Sequence, residues 1–169
     1  WRLTERRGVS QELAKSEMRL SQTLIAAMMV QRGEADGLLC GTSGTYASHL
    51  RYLDQVIGLR RGVRTFAAMN AVMLPTRTVF ICDTYVNPDP TAEQLAEITI
   101  LAAEEIRRFG VVPKVALLSH SSFGTSHLPC AQKMRDALEL IRVQAPDLDV
   151  DGEMHGDAAI NENVRKAVL

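Results

Sequence analysis

Lys114-Val-Ala-Leu-Leu118 is a short apolar run, and Ser119-His-Ser-Ser-Phe-Gly-Thr-Ser126 follows it as a loop rich in hydroxyl groups. A helix is predicted from Pro129 or Cys130 to near Gln144, and Val150 closes a further short strand. A strand, a loop, a helix and a second strand in this order are typical of a parallel sheet with a crossover helix. This stretch therefore predicts an α/β fold.

The same alternation extends toward the N-terminus. The predicted helices are one capped by Ser10 that is interrupted near Leu20-Ser21, one over Thr23–Val30, one over Tyr46–Ile57, and one that begins with a Thr91/Gln94 capping box and runs to Phe109. The predicted strands are Leu38–Cys40 and a hairpin of Ala67–Leu74 with Thr78–Cys82. We therefore predict a layered α/β fold, in which a mixed, mostly parallel sheet carries helices on both faces.

The two ends have the pattern of a chain that continues. Residue 1 is Trp1 rather than Met, and Asn161–Leu169 has a helical pattern without a Gly or Pro stop. We expect residues 1–169 to be part of one domain of a longer polypeptide, with the fold incomplete at both ends.

The composition excludes several classes of protein. Hydrophobic residues make up 46% of the 169 residues and charged residues 23%, which is an ordinary globular mixture rather than that of a disordered chain. The net charge of −1 and an aromatic content of 5% disfavour nucleic acid as a partner. No apolar run is long enough to span a membrane, and three cysteines without a CxxC pattern favour free thiols in the cytoplasm.

Three polar loops are candidate ligand sites, because open α/β sheets bind ligands beyond the carboxyl ends of their strands. Gly41-Thr42-Ser43-Gly44-Thr45 could cradle an anion at a helix N-terminus, although an ordinary turn with a helix cap has the same sequence. Ser119–Ser126 could donate hydroxyls to phosphate oxygens, or could simply be a solvated loop. Asp151–Asp157 has carboxylates and an imidazole, but its spacing favours Asp157 as a helix cap over a metal site.

Ordered motifs over nearly the whole chain resemble one enzyme family. Gly33-Glu-Ala-Asp-Gly37 is similar to the same five residues at a strand entry of phosphate acetyl/butyryltransferases. Val115–Ser121, followed by Gly124, resembles their Met-Leu-Ser-x-Ser-Thr-Lys-Gly-Ser loop. Their Ala-Pro and Asp-Gly-Glu-x-x-x-Asp-Ala-Ala segments have counterparts in Ala145-Pro146, Asp151-Gly152-Glu153 and Asp157-Ala158-Ala159.

A finer resemblance is to the phosphotransacetylase-type domain at the C-terminus of bacterial NADP-dependent malic enzymes, carried by Ile81–Pro90, Leu117–Ser121 and Gly152–Asp157. In that group, separate N-terminal domains decarboxylate malate to pyruvate with NADP and a divalent metal, and the appended domain is regarded as regulatory. The resemblance therefore implies a domain without a cofactor or catalytic residue of its own. It also implies acetyl-CoA as a small-molecule effector, and a homodimer within a larger homo-oligomer.

The resemblance also gives the expected site residues. The first loop is expected to contact phosphate or pantetheine through Thr42, Ser43 and Thr45, and Arg51, on the helix that follows, is expected to be a weaker charge partner. The second loop is expected to surround the thioester in the same crevice, through Ser119, Ser121, Ser122 and Thr125. Asp157 is expected to support the crevice structurally, and no metal ligand is expected.

One departure bears on function. Ser122-Phe123 stands where the transferase loop carries Thr-Lys, and the catalytic serine, arginine and aspartate of the family belong to a later segment, beyond Leu169. We therefore predict a regulatory domain. An active phosphate acetyltransferase and an oligomerisation module without a ligand stay open as alternatives.

Overall fold

The computed structural model describes residues 1–2 and 4–169, which form two compact units, Trp1–Gly62 and Val63–Leu169. Within the described residues, no helix has both the length and the apolar character needed to cross a bilayer.

The first unit is helical. A 3₁₀ turn, Glu5–Arg7, precedes α1 (Gln11–Leu20), α2 (Gln22–Gln31) and α3 (Tyr46–Val56). Ser21 separates α1 from α2, and its hydroxyl accepts the Leu24 N–H at 3.1 Å, which confirms the predicted interruption. Leu24, Ala27 and Val56 form the buried core of this unit.

The predicted strand Leu38–Cys40 is wrong, because these residues form no strand in the described structure. The side chain of Leu39 is fully exposed to solvent. An apolar run becomes a strand only when a neighbouring strand pairs with it, and the first unit supplies none among its described residues.

The second unit contains every strand that the structure describes. A hairpin of β1 (Met69–Met73) and β2 (Thr78–Cys82) is antiparallel, whereas β3 (Lys114–Leu118) and β4 (Asp149–Met154) are parallel. The helices of this unit are α4 (Ala92–Arg108), α5 (Pro129–Gln144), α6 (Gly156–Ile160) and α7 (Glu162–Val168). The mixed α/β class is therefore confirmed, although the strands form two separate pairs rather than one continuous sheet.

The core of the second unit lies between the parallel pair and helices α4 and α5. Its buried residues are Ala96, Ala103, Leu117, Ala137, Leu138, Ile141 and Leu148. Gly152 on β4 lies directly against β3, with a φ of +141°, and a Cβ at this position would be 2.7 Å from the Leu117 carbonyl oxygen. The parallel pair therefore requires glycine at position 152.

The local signals at the two ends of α4 are accurate. Thr91 and Gln94 form the predicted capping box of α4, and Gly110 follows the helix in a left-handed conformation with φ of +75°. At the last strand, β4 continues through Met154, so that part of the predicted third loop is in fact strand. The prediction that Asp157 caps the last helix is wrong: Asp157 lies inside α6, and Asn161 caps α7.

Candidate functional site

A polar cavity of about 520 Å³ lies within the first unit. The end of α1, the start of α2, the first loop and α3 enclose it, through Leu20, Ser21, Gln22, Thr23, Ala26, Leu39, Cys40, Gly41, Thr42, Ser43, Ser48, His49, Arg51 and Tyr52. Cavities of this volume are in the range that holds a small molecule or one part of a larger ligand.

An imidazole is fixed at the wall of this cavity. Thr23 is buried, and its hydroxyl is 2.7 Å from His49 Nδ1. The other ring nitrogen, Nε2, is buried and has no hydrogen-bond partner among the described residues. A buried polar atom without a hydrogen-bond partner is costly, so Nε2 is an unsatisfied polar group in this wall of the cavity.

Three of the four residues predicted near the first loop line this cavity. Thr42 and Ser43 are exposed on its rim, and Arg51 projects from α3 with its guanidinium carbon 4.9 Å from the centre of the Tyr52 ring. Thr45 instead caps α3, because its hydroxyl accepts the Ser48 N–H at 3.3 Å. Hydroxyls, an imidazole and a guanidinium around one cavity suit a polar, anionic ligand.

The second loop follows β3 in the second unit and is held against the end of β4. The Ser119 N–H donates to the Met154 carbonyl at 3.0 Å, and the Phe123 N–H donates to the Glu153 carbonyl at 2.8 Å. Phe123 has a φ of +48°, a conformation that non-glycine residues rarely adopt. The loop therefore has a defined conformation that its anchors must maintain.

The carboxylate of Glu153 is the centre of these anchors. Its side chain is 0% exposed, and its Oε1 accepts hydrogen bonds from the Ser121 hydroxyl at 3.0 Å, the Gly124 N–H at 3.1 Å and the Arg135 guanidinium at 2.7 Å. Burial favours protonation of this carboxyl, but the hydrogen bonds of Gly124 and Ser121 and the charge of Arg135 outweigh it. The pKa of Glu153 is therefore lowered, and the group is ionised at neutral pH.

The guanidinium of Arg135 makes three hydrogen bonds within the protein. Besides Glu153, it donates to the Ser126 carbonyl at 3.0 Å and to Gln132 Oε1 at 2.8 Å. Glu153 and Arg135 also line a shallow cavity of about 350 Å³ together with Phe123 and Gly124. The positive charge beside the second loop is thus neutralised by a buried carboxylate rather than presented to an anion.

The structure divides the predicted residues of the second loop into two groups. Ser121 and Ser122 are 5% and 6% exposed, and their hydroxyls bond to Glu153 and to the His155 N–H within the protein. Ser119 is half-buried and Thr125 is exposed. The inner pair therefore holds the loop. In the outer pair, the Thr125 hydroxyl also accepts the Ser122 N–H at 3.2 Å, and both side chains keep surface that a ligand can reach.

Side chains of the third loop bond to backbone atoms of the protein. His155 Nε2 is 2.7 Å from the His120 carbonyl oxygen, and the Asp157 carboxylate accepts the Ala158 N–H at 2.8 Å. Among the described residues, no three His, Cys, Asp or Glu side chains converge in a metal-binding arrangement. Asp157 therefore has a local bond at the start of α6, and its supporting role stays a prediction.

Asp83, after β2, makes a second carboxylate-centred loop. Its two oxygens accept from the Ala68 N–H at 2.9 Å, the Val86 N–H at 3.3 Å and both the backbone and side-chain nitrogens of Asn87 at 2.8 and 2.6 Å. Burial favours protonation, but these donors outweigh it and the pKa of Asp83 is lowered. This arrangement joins Ala68, just before β1, to the loop of residues 83–87 that follows β2.

Sequence reasoning missed the roles of Glu153, Arg135 and His49. The Asp-Gly-Glu segment has the composition of a loop, whereas the structure buries Glu153 in β4, and a buried carboxylate needs a cationic partner. Arg135, in the middle of an amphipathic helix, was the available signal for that partner. The two predicted loops lie in different units, so the shared crevice stays a prediction.

The comparisons with known proteins agree with one another. The family model described as phosphate acetyl/butaryl transferase matches residues 1–169. The chain is 56% identical over 165 residues to the NADP-dependent malic enzyme of Escherichia coli strain K12, covering 98% of this chain and 22% of that protein. It is 50% identical over 167 residues to the NAD-dependent malic enzyme of Rhizobium meliloti strain 1021, with coverage of 99% and 22%.

A solved structure confirms the fold. The phosphotransacetylase of Streptococcus pyogenes superposes with a TM-score of 0.82 at 30% sequence identity, covering 98% of this chain and 51% of that one. The chain thus spans about half of this neighbour and 22% of the two malic enzymes.

Proposed function

The chain belongs to the phosphate acetyl/butaryl transferase family, and from this we propose that it is the acetyl-CoA-responsive regulatory domain of a malic enzyme. The enzyme would decarboxylate malate to pyruvate in other parts of its polypeptide, which would also hold the nicotinamide cofactor and a divalent metal. Identity of 56% to a malic enzyme, against 30% to the phosphotransacetylase structure, supports this assignment. Three free cysteines suit the cytoplasm, where we place the enzyme.

The observation that carries the proposal is the polar cavity of the first unit. Its rim hydroxyls on Thr42 and Ser43 and the guanidinium of Arg51 match the phosphate groups and the amide-rich pantetheine arm of CoA. We assign this end of the ligand to the cavity. A ligand that binds one state of the enzyme better than another shifts activity by mass action, without touching the malate site.

The second loop supports regulation rather than acetyl transfer. Phe123 replaces the lysine of the transferase motif, and Arg135 is already bound to Glu153. A cation that neutralises a buried carboxylate is not free to stabilise the charge that develops on a transferring acyl oxygen. We therefore assign the outer hydroxyls, Ser119 and Thr125, to the neighbourhood of the thioester, and the inner pair, Ser121 and Ser122, to holding the loop.

The test is a titration of the malic enzyme that contains this chain. The rate of malate-dependent reduction of the nicotinamide cofactor is measured against acetyl-CoA, with CoA and acetyl phosphate as control ligands. Arg51→Gln should raise the acetyl-CoA concentration for half-maximal effect roughly tenfold, as expected for one lost charged hydrogen bond. Arg108→Gln, which removes an exposed guanidinium paired with Glu105 on α4, should leave it unchanged.

Two results would contradict the proposal. A wild-type rate that acetyl-CoA does not alter at millimolar concentration excludes the regulatory role. A response that is equal in Arg51→Gln and wild type places the ligand outside the cavity of the first unit.

An active phosphate acetyltransferase is the second candidate, because the structural neighbour is itself named a phosphotransacetylase. The same protein is incubated with acetyl-CoA and inorganic phosphate, and the CoA thiol released as acetyl phosphate forms is measured. We expect no release above the background without enzyme. Release at a rate that rises with phosphate concentration would support the transferase instead.

We also propose that the domain self-associates, as a homodimer within a larger homo-oligomer. The family resemblance is the basis of this proposal, and Met73, Val112 and Val143 in the second unit, at 85%, 82% and 81% exposed, are apolar side chains that a second subunit would cover. Sedimentation of the whole enzyme with and without residues 1–169 tests this. A smaller assembly after the deletion supports self-association, and an unchanged one excludes it. A smaller assembly after the deletion, in an enzyme whose rate does not respond to acetyl-CoA, would support the oligomerisation module.

A further inference from the structure

Glu153 is buried at a cost that packing alone does not explain. Its side chain is 0% exposed, and one of its two oxygens, Oε2, has no hydrogen-bond partner among the described residues. Replacing a buried ion pair by apolar side chains is often neutral or stabilising, so a buried carboxylate is weak evidence for a stabilising role. A role in fixing one conformation of the surrounding chain accounts for it better.

All three donors to Glu153 Oε1 bear on the second loop. Ser121 and Gly124 belong to the loop itself, and Arg135 reaches from α5 to both the carboxylate and the Ser126 carbonyl. The carboxylate therefore connects the middle of the loop to its far end through one guanidinium.

We propose that Glu153 is a positioning residue for ligand binding: its carboxylate, held by Arg135, fixes Ser121 and Gly124 so that the loop 119–126 presents Ser119 and Thr125 to the acyl end of the ligand. The inference rests on the proposed function for the identity of that ligand. It concerns Glu153 acting through the loop, and Glu153 itself touches no ligand.

The loop needs such an anchor because its conformation is not self-sustaining. Phe123, with φ of +48°, and Gly124, with φ of +86°, adopt left-handed backbone conformations at successive positions. Left-handed conformations at non-glycine residues persist only where surrounding contacts impose them. Once the carboxylate charge is removed, the Gly124 N–H and the Ser121 hydroxyl have weaker partners, and Arg135 lacks its counter-charge.

The experiment compares four variants of the enzyme that contains this chain. Glu153→Gln keeps the side-chain shape and removes the charge, Ser121→Ala removes one bond of the loop to Glu153, and the double variant combines them. Glu105→Gln is the matched control, because Glu105 is exposed and its ion pair with Arg108 lies on α4. Two quantities are measured: hydrogen exchange of a peptide that covers residues 121–126, and the ratio of acetyl-CoA to CoA affinity.

We expect exchange in Glu153→Gln to be at least about tenfold faster in this peptide than in wild type, while Glu105→Gln matches wild type. The preference for acetyl-CoA over CoA should fall roughly tenfold in Glu153→Gln. In the double variant it should fall no further than in Glu153→Gln, because both substitutions act on the same bond. A loss of global stability alone would weaken both ligands equally and leave the ratio unchanged.

The outcomes separate the two proposals. Unchanged exchange in Glu153→Gln overturns the positioning role, and faster exchange with an unchanged affinity ratio assigns Glu153 to stability alone and also overturns it. A wild-type protein without any preference for acetyl-CoA overturns the ligand assignment of the proposed function, and the exchange measurement then still decides whether Glu153 holds the loop. Where Glu153→Gln fails to fold, Ser121→Ala provides both measurements, with smaller expected changes in the same direction.

Discussion

Replacement of Gly152 by alanine gives a direct test of the parallel strand pair. The new Cβ would lie 2.7 Å from the Leu117 carbonyl oxygen, 3.0 Å from the Leu117 Cβ and 3.2 Å from the Leu117 nitrogen. The Leu117 atoms cannot move away easily, because two of them belong to the backbone and Leu117 is paired with Gly152 in the sheet register. The φ of +141° adds strain for any residue with a side chain.

We expect Gly152→Ala to lower the free energy of unfolding by about 2–6 kcal/mol. About 1–3 kcal/mol comes from the backbone conformation and about 1–3 kcal/mol from the forced displacement of packed atoms. A loss of this size is a large fraction of the total stability of a domain, which is about 5–15 kcal/mol.

The assay is urea denaturation of wild type and variant in the same protein, followed by circular dichroism. Gly156→Ala is the matched control, because a Cβ at Gly156 meets no atom within 4 Å and φ is not positive there. We expect that control to stay within about 1 kcal/mol of wild type. Equal stabilities of the two alanine variants would refute the argument that β3 and β4 require glycine at position 152.

Three further predictions concern acid sensitivity, helix capping and thiol reactivity. Because the pKa of Asp83 is lowered in the folded protein, the unfolded chain takes up the proton first as the pH falls, and the stability that Asp83 contributes is lost below about pH 4. In urea denaturation, Asp83→Asn should therefore flatten the decrease in the free energy of unfolding between about pH 5 and pH 3. An unchanged slope would contradict this. Thr91→Ala should cost about 1 kcal/mol in the same assay, because it removes the cap of α4, and an effect below about 0.3 kcal/mol would count against the capping box. Desolvation of the thiol and the neighbouring Asp83 charge raise the pKa of Cys82 to about 11. At pH 7 we therefore expect iodoacetamide to modify Cys82 roughly a hundredfold more slowly than an ordinary cysteine, by a mass-spectrometric time course, whereas modification at the ordinary rate would contradict the desolvated environment.

Local signals explain why most helices could be predicted. The boundaries of α4 follow from a capping box at Thr91 and a left-handed Gly110, and the gap between α1 and α2 follows from the hydroxyl of Ser21. Each of these signals acts over three or four residues, so the sequence contains all the information that they need.

Strand predictions failed where the partner strand decides the outcome. Leu38–Cys40 has the apolar character of a strand, but no described strand pairs with it. Conversely, Asp151-Gly152-Glu153 has the composition of a turn, yet pairing with β3 extends β4 through it to Met154. Pairing over a long separation in sequence overrides local preference in both cases.

The candidate site was predictable as loops but not as a network. The hydroxyl-rich composition of Ser119–Ser126 located the second loop correctly, at the end of β3. Which hydroxyls turn inward depends on the position of Glu153. This residue lies on β4, which is separated from the loop in sequence by the whole of α5. Composition gives no information about that arrangement, so Ser121 and Thr125 were indistinguishable before the structure.

The dependence of the second loop on β4 also sets an order of assembly during synthesis. The loop leaves the ribosome before α5, and α5 before the strand that contains Glu153. Until β4 is translated and pairs with β3, no carboxylate is available for Ser121, Gly124 and Arg135, and the apolar face of α5 lacks one of its partners. We expect nascent chains that stop at Ala145 to have helical content but an unanchored loop, and to depend on chaperones until the last strand emerges.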